Sequence, residues 1–125
     1  MVASVLYLTG VFNTEQSASG EAIVNVVVPE LDPTSRIGEA AFNQNCAACH
    51  GPNAAGKNGT APPLVHKIYE PNHHGNTAFV LAAKRGVRQH HWGFGNMPPQ
   101  PDVSEQEITA IIGYVRTLQR ANGIN

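Results

Sequence analysis

Cys46-Ala47-Ala48-Cys49-His50 sets two thiols three residues apart, with an imidazole directly after the second. C-x-x-C-H is the pattern by which a haem is attached covalently. The thiols add across the vinyl groups, and the neighbouring imidazole supplies an axial ligand to the iron. On a helical turn these positions fall at i, i+3 and i+4, so all three face one side. A zinc half-site is the first rival, but it needs a second ligand pair. The chain has no third cysteine, so only histidine pairs could complete it. A dithiol redox motif is the second rival, and it belongs near a βαβ pattern that is absent here.

Iron held this way needs a second axial ligand or an open position. Gly95-Asn96-Met97-Pro98-Pro99 offers a methionine in a segment that two prolines keep out of helix. A thioether is soft and favours ferrous iron, so His/Met ligation raises the reduction potential. The competing role for Met97 is that of a flexible core filler. The remaining methionine, Met1, has no evident bearing on the iron.

From Pro33 to about Asn122 the chain resembles a class I cytochrome c. Gly38 and Phe42, upstream of Cys46, match the G-x-x-x-F of that family's first helix. Ala61-Pro62-Pro63-Leu64 resembles its G-P-x-L loop, with Pro62 twelve residues after His50, although Ala61 stands where glycine is usual. Ile111-Ile112-Gly113-Tyr114-Val115 resembles the last helix, whose aromatic residue lies near the Phe of the first. The resemblance implies a mainly α fold, a small helical domain around one covalently bound haem c. It implies thioethers from Cys46 and Cys49, and His50 and Met97 as iron ligands. The Pro62 carbonyl would accept a hydrogen bond from His50 Nδ1–H, which fixes the tautomer and increases ligand basicity. Pro62 and Leu64 would bound the haem, and Trp92 or His66 would donate to a propionate.

Several elements must position these groups. Asp32-Pro33 is a helix start, with Asp32 as N-cap and Pro33 in the first turn. That helix runs to the haem motif with Ile37, Ala41 and Phe42 on its inner side. Gly51 to about His74 is rich in Gly, Pro and Asn and is expected to be irregular. A short helix follows over Ala78 to Arg85, capped by Thr77 or Asn76 and stopped by Gly86. Its Phe79, Leu81 and Ala82 would face haem or core. Ser104-Glu105-Gln106-Glu107 is a capping box. Ile108, Ile111, Ile112, Val115 and Leu118 then line one face of a helix ending near Gly123.

The chain of 125 residues suits one domain at 32–125 and an extension at 1–31. Aromatic residues make up only 6%, a shortage that a buried macrocycle would offset. Val2–Phe12 is apolar but too short to span a bilayer, and no Lys or Arg precedes it as in a secretory leader. With Glu21–Val28 it is expected to form a β-hairpin, the alternative being a leader or linker remnant. Association with a membrane is expected only through an N-terminal segment missing or cleaved from the chain.

Charge is unevenly placed. Every Lys and Arg lies from Arg36 onward, whereas Glu15, Glu21, Glu30 and Asp32 precede them without a base. Lys84, Arg85 and Arg88 cluster before the Met97 loop. They could steer an acidic redox protein or simply end a solvated helix. No nucleic-acid partner is expected. His66, His73, His74, His90 and His91 are taken as hydrogen-bonding loop residues. His90 or His91 as a distal ligand, and a second metal held by the pairs His73-His74 and His90-His91, are the alternatives. The function implied by the resemblance is one-electron transfer, by a soluble carrier or by the electron-transfer subunit of a respiratory or dehydrogenase system. The alternative is a haem enzyme, a peroxidase or small-molecule reductase, with an open or displaceable distal site. No acid/base constellation is evident for it. Haem attachment further implies a periplasmic or extracytoplasmic location.

Overall fold

The computed structural model describes residues 20–125. Four α-helices follow one another there: α1 (Pro33–Asn45), α2 (Ala47–His50), α3 (Asn76–Arg85) and α4 (Glu105–Ala121). Short 3-10 turns at Pro52–Ala54 and Lys67–Tyr69 punctuate the long loop between α2 and α3. No helix among the described residues is long and apolar enough to cross a membrane.

Helix α1 begins as its first residues dictate. The Asp32 carboxylate accepts from the Ser35 amide at 2.7 Å, and Pro33 occupies the first turn. That bond holds the Asp32 carboxyl below its ordinary value. Helix α4 begins in a full capping box: the Ser104 hydroxyl accepts from the Glu107 amide and the Glu107 side chain from the Ser104 amide.

The core lies where α1 crosses α4. Phe42 and Tyr114 are fully buried, with ring centroids 5.6 Å apart and planes tilted by 54°. Leu31, Ala54, Val65, Val115 and Leu118 complete the cluster. Gly38 makes the crossing close: a Cβ at this position would overlap the Ala110 carbonyl of α4 and approach Tyr114 Cβ to 2.8 Å. Ile37, expected on the inner side of α1, is 65% exposed. The buried stripe is Ser35, Gly38, Ala41 and Phe42, because the two backbones meet at Gly38 and turn Ile37 outward.

Helix α3 starts at Asn76, two residues before the expected Ala78. Gly75, which has no side chain to cap with, is its N-cap, and the side-chain Oδ1 of Asn76, an expected cap, instead accepts from Arg116 of α4. Phe79 packs inward as expected, whereas Leu81 is 40% exposed.

Of the expected hairpin, Val2–Phe12 lies outside the described residues. Glu21–Val28 is not a strand, since its amides serve loops rather than a partner strand. The Ile23 and Val24 amides both donate to the Ala55 carbonyl, at 3.0 and 3.1 Å. Val27 exchanges two bonds with the Asn122 side chain at the end of α4. Residues 20–31 thus pack on the helical domain, with Leu31 in its core.

Candidate haem site

The junction of α1 and α2 carries the C-x-x-C-H motif. Cys46 breaks the helix at φ −124°, and its carbonyl accepts from the amides of Cys49 and His50 at 3.2 and 2.9 Å. The three side chains therefore sit on one tight turn. Cys46 is half-buried and Cys49 exposed, and neither is in a disulfide. Burial, and then the neighbouring Cys49, push the Cys46 thiol up to about 11.

His50 is buried, and its Nδ1 lies 2.9 Å from the Pro62 carbonyl oxygen. Because a carbonyl can only accept, Nδ1 carries the proton and Nε2 is left with the lone pair. Burial holds the imidazole below its ordinary value, opposed by the Pro62 bond. The loop that delivers Pro62 is cross-tied. Lys57 and Ala61 exchange amide bonds at 3.0 and 3.1 Å, and the Gly56 amide donates to the His50 carbonyl at 2.7 Å. Asn53 and Ala54 are the two described non-glycine residues with positive φ, so Ala61 needs no glycine-like backbone.

These groups open onto an apolar cleft of about 440 Å³. Cys46, Cys49, His50, Pro62, Leu64, Trp92 and Met97 all line it, whereas His66, the other propionate donor considered from the sequence, does not. The Trp92 indole donates to the Tyr69 hydroxyl at 3.0 Å, and His66 Nδ1 accepts from the Ile68 amide at 3.1 Å. Met97 is fixed through its backbone: it and Val87 exchange amide bonds at 2.9 and 2.8 Å. Gly86, at φ +77°, lets the two segments close. A Cβ there would overlap the Met97 carbonyl and come within 3.0 Å of the Pro99 nitrogen.

The cleft tests well against a haem. Its volume falls within the roughly 300–1,000 Å³ of cofactor pockets, its lining is mostly apolar, and two thiols and a singly committed imidazole stand at one edge. The family model for cytochrome c matches residues 35–119.

The chain belongs to the cytochrome c family.

A comparison with curated proteins found no match. As a member of the cytochrome c family, the chain carries one haem c held covalently through Cys46 and Cys49 and serves haem-based electron transfer.

Sequence reasoning missed the groups that hold the far wall of the cleft. Arg116 is 6% exposed, and its guanidinium donates to the Tyr69 and His74 carbonyls, Gln119 Oε1 and Asn76 Oδ1. It also lies 4.7 Å from the Phe79 ring centroid. Gln119 donates to the Leu64 and Tyr69 carbonyls, both at 2.9 Å. Their only sequence signal is a polar pair three apart, beside the apolar stripe of α4. Four of the histidines gather on the same side: the His90 and His91 rings are 4.2 Å apart and the His73 and His74 rings 4.9 Å. Loss of solvation first, and then the imidazoles of His90, His74 and His73, hold His91 below its ordinary value. Of the basic trio, Lys84 is ion-paired with Glu105, whereas Arg85 and Arg88 are exposed.

Proposed function

We propose that the chain is a one-electron carrier in which His50 and Met97 occupy the two axial positions of the iron. It works either as a soluble protein or as the electron-transfer module of a respiratory or dehydrogenase system. Bound haem c supplies the Fe(III)/Fe(II) couple. The observation that carries this reading is that both residues line one apolar cleft, each on backbone fixed by hydrogen bonds. The Pro62 carbonyl keeps the proton on His50 Nδ1 and presents Nε2, and it increases the basicity of the ring. The Val87 bridge and the Pro98-Pro99 frame hold Met97 in place, and its thioether favours the reduced state. Cys46 and Cys49 tie the cofactor to the same turn. The apolar lining keeps water from the site and so favours the state of lower charge.

Arg85 and Arg88 suit the approach of an acidic redox protein, with Lys84 already engaged by Glu105. A periplasmic or extracytoplasmic location follows in the same proposal from where haem attachment takes place.

Met97→Ala tests the ligand set. It should abolish the methionine–iron charge-transfer band, lower the reduction potential and admit carbon monoxide or cyanide that the parent resists. Rapid carbon monoxide binding by the parent ferrous protein at neutral pH would overturn the closed shell. It would favour the haem enzyme, with His90 and His91 as the first distal residues to replace.

A further inference from the structure

His73, His74 and His91 come from two separate loops, yet their ligand atoms all lie within 4.8 Å of one another. His73 and His74 end the turn after Tyr69, and His91 sits in the loop between Val87 and Met97. We propose that these three imidazoles form a site for a divalent first-row transition ion, with Zn(II) and Cu(II) as the best-suited members. His74 and His91 also line the haem cleft, His73 does not, and none of the three is among the proposed iron ligands.

Four observations build it. The donors are already close: nitrogens held at about 2.0–2.1 Å around a tetrahedral ion lie roughly 3.3 Å apart, so modest ring rotations complete the shell. His74 is oriented as metal-binding histidines are, with Nδ1 2.6 Å from the Ile68 carbonyl oxygen, so that Nε2 carries the lone pair. The turn itself is fixed from inside, because Arg116 donates to the His74 carbonyl and the Glu70 carbonyl accepts from the His73 and His74 amides at 3.0 and 2.8 Å. Among the described residues neither the His73 nor the His91 ring makes a hydrogen bond, and both are exposed. The cluster is therefore open to solvent with its lone pairs uncommitted. Three nitrogens without a carboxylate suit zinc, copper or nickel, whereas calcium and magnesium require oxygen ligands. A three-histidine set leaves a fourth position for water or a further ligand. The ion would also bridge the turn at 70–74 to the loop that leads to Met97.

The test uses the holocytochrome after treatment with a chelator. Calorimetric titration with Zn(II) should give one equivalent bound at micromolar affinity or tighter. Cu(II) should show nitrogen hyperfine splitting in its electron paramagnetic resonance spectrum. His73→Asn and His91→Asn each remove an exposed ring and should weaken Zn(II) binding by at least the roughly 10–100-fold typical of a lost metal-orienting group. The double variant should bind no stoichiometric Zn(II) while keeping the haem spectrum of the parent. His90→Asn, just outside the trio, should change the affinity less than about threefold, well short of that loss. Zn(II) should raise the unfolding temperature of the parent and leave that of the double variant unmoved. Absence of a stoichiometric site in the parent, unchanged binding in the double variant, or loss of binding through His90→Asn alone would each overturn the proposal.

Discussion

At the crossing of α1 and α4, Phe42, Tyr114, Val115 and Leu118 are buried to within about 1%. There the helices meet through side chains with little directional demand. Between Leu64 and Met97 the chain has one 10-residue α-helix, a 3-10 turn at Lys67–Tyr69 and otherwise loops, and it is tied to α4 by Arg116 and Gln119 through bonds to backbone carbonyls. Both regions wall the same cleft. Apolar packing suffices where regular helices satisfy their own backbone groups. A loop has unpaired carbonyls, so the wall it makes must be set by donors aimed at them. One helix, α4, does both jobs on different faces.

The comparison is broken most directly at its apolar side. Phe42→Ala removes a fully buried ring from the crossing and should cost about 3–5 kcal/mol. Denaturant unfolding of the holoprotein should record it as a fall in midpoint at constant slope. A cost below about 1 kcal/mol would mean that Phe42 is not the centre of the core.

On the polar side, Arg116→Met keeps bulk but leaves the His74 carbonyl without its donor. Bonds from a charged group are each worth about 1.5–3 kcal/mol, and a loss of about 3 kcal/mol is expected. The pattern matters more than the size. Amides of Ile68, Tyr69 and His73 should exchange faster, while those of α1 keep their protection. Uniform acceleration would show that the loop and the crossing unfold as one unit.

This division also explains what was legible in the sequence. Helix α4 and its stripe follow from a 3.6-residue period, and the capped starts of α1 and α4 from local chemistry, because burial and capping leave periodic or adjacent signals. The haem turn was legible because Cys46, Cys49 and His50 are contiguous. Ile37 was misplaced because a period cannot tell which side a helix turns when a glycine contact sets the crossing. Arg116 escaped notice for a different reason. Its partners, the carbonyls of Tyr69 and His74, are backbone atoms that no residue type announces. The gathering of His73, His74 and His91 depends on the same loop placement, so the sequence held the residues but not their approach.

Tyr114 sharpens the contrast inside the apolar region itself. Its hydroxyl is buried without a hydrogen-bond partner among the described residues, and burial followed by Glu39 pushes the phenol up to about 12. Tyr114→Phe retains the ring against Phe42 and removes an unsatisfied group. It should therefore stabilise the protein by about 1 kcal/mol. A loss of similar size would reveal a partner for the hydroxyl and make this crossing more polar than its neighbours suggest.

The smallest effect lies at the helix starts, where each region borrows the other's chemistry. The Asp32 and Glu107 carboxyls sit below their ordinary values of 3.8 and 4.5, chiefly through backbone amides at Ser35 and Ser104 respectively. A carboxyl depressed by folding adds stability above its unfolded value and loses it as pH falls through its folded value. Asparagine caps about as well as aspartate, and glutamine can retain the capping-box bond, yet neither titrates. The double variant Asp32→Asn, Glu107→Gln should thus unfold at a slightly lower temperature than the parent at neutral pH, since the negative ends no longer favour the helix dipoles. That difference should shrink as pH falls below about 4.5 and vanish once both carboxyls are protonated in the folded parent. The difference between the two melting curves isolates these caps, because acid effects on the haem site are common to both proteins. A gap that stays constant down to about pH 2 would mean that the charges do not act through the caps.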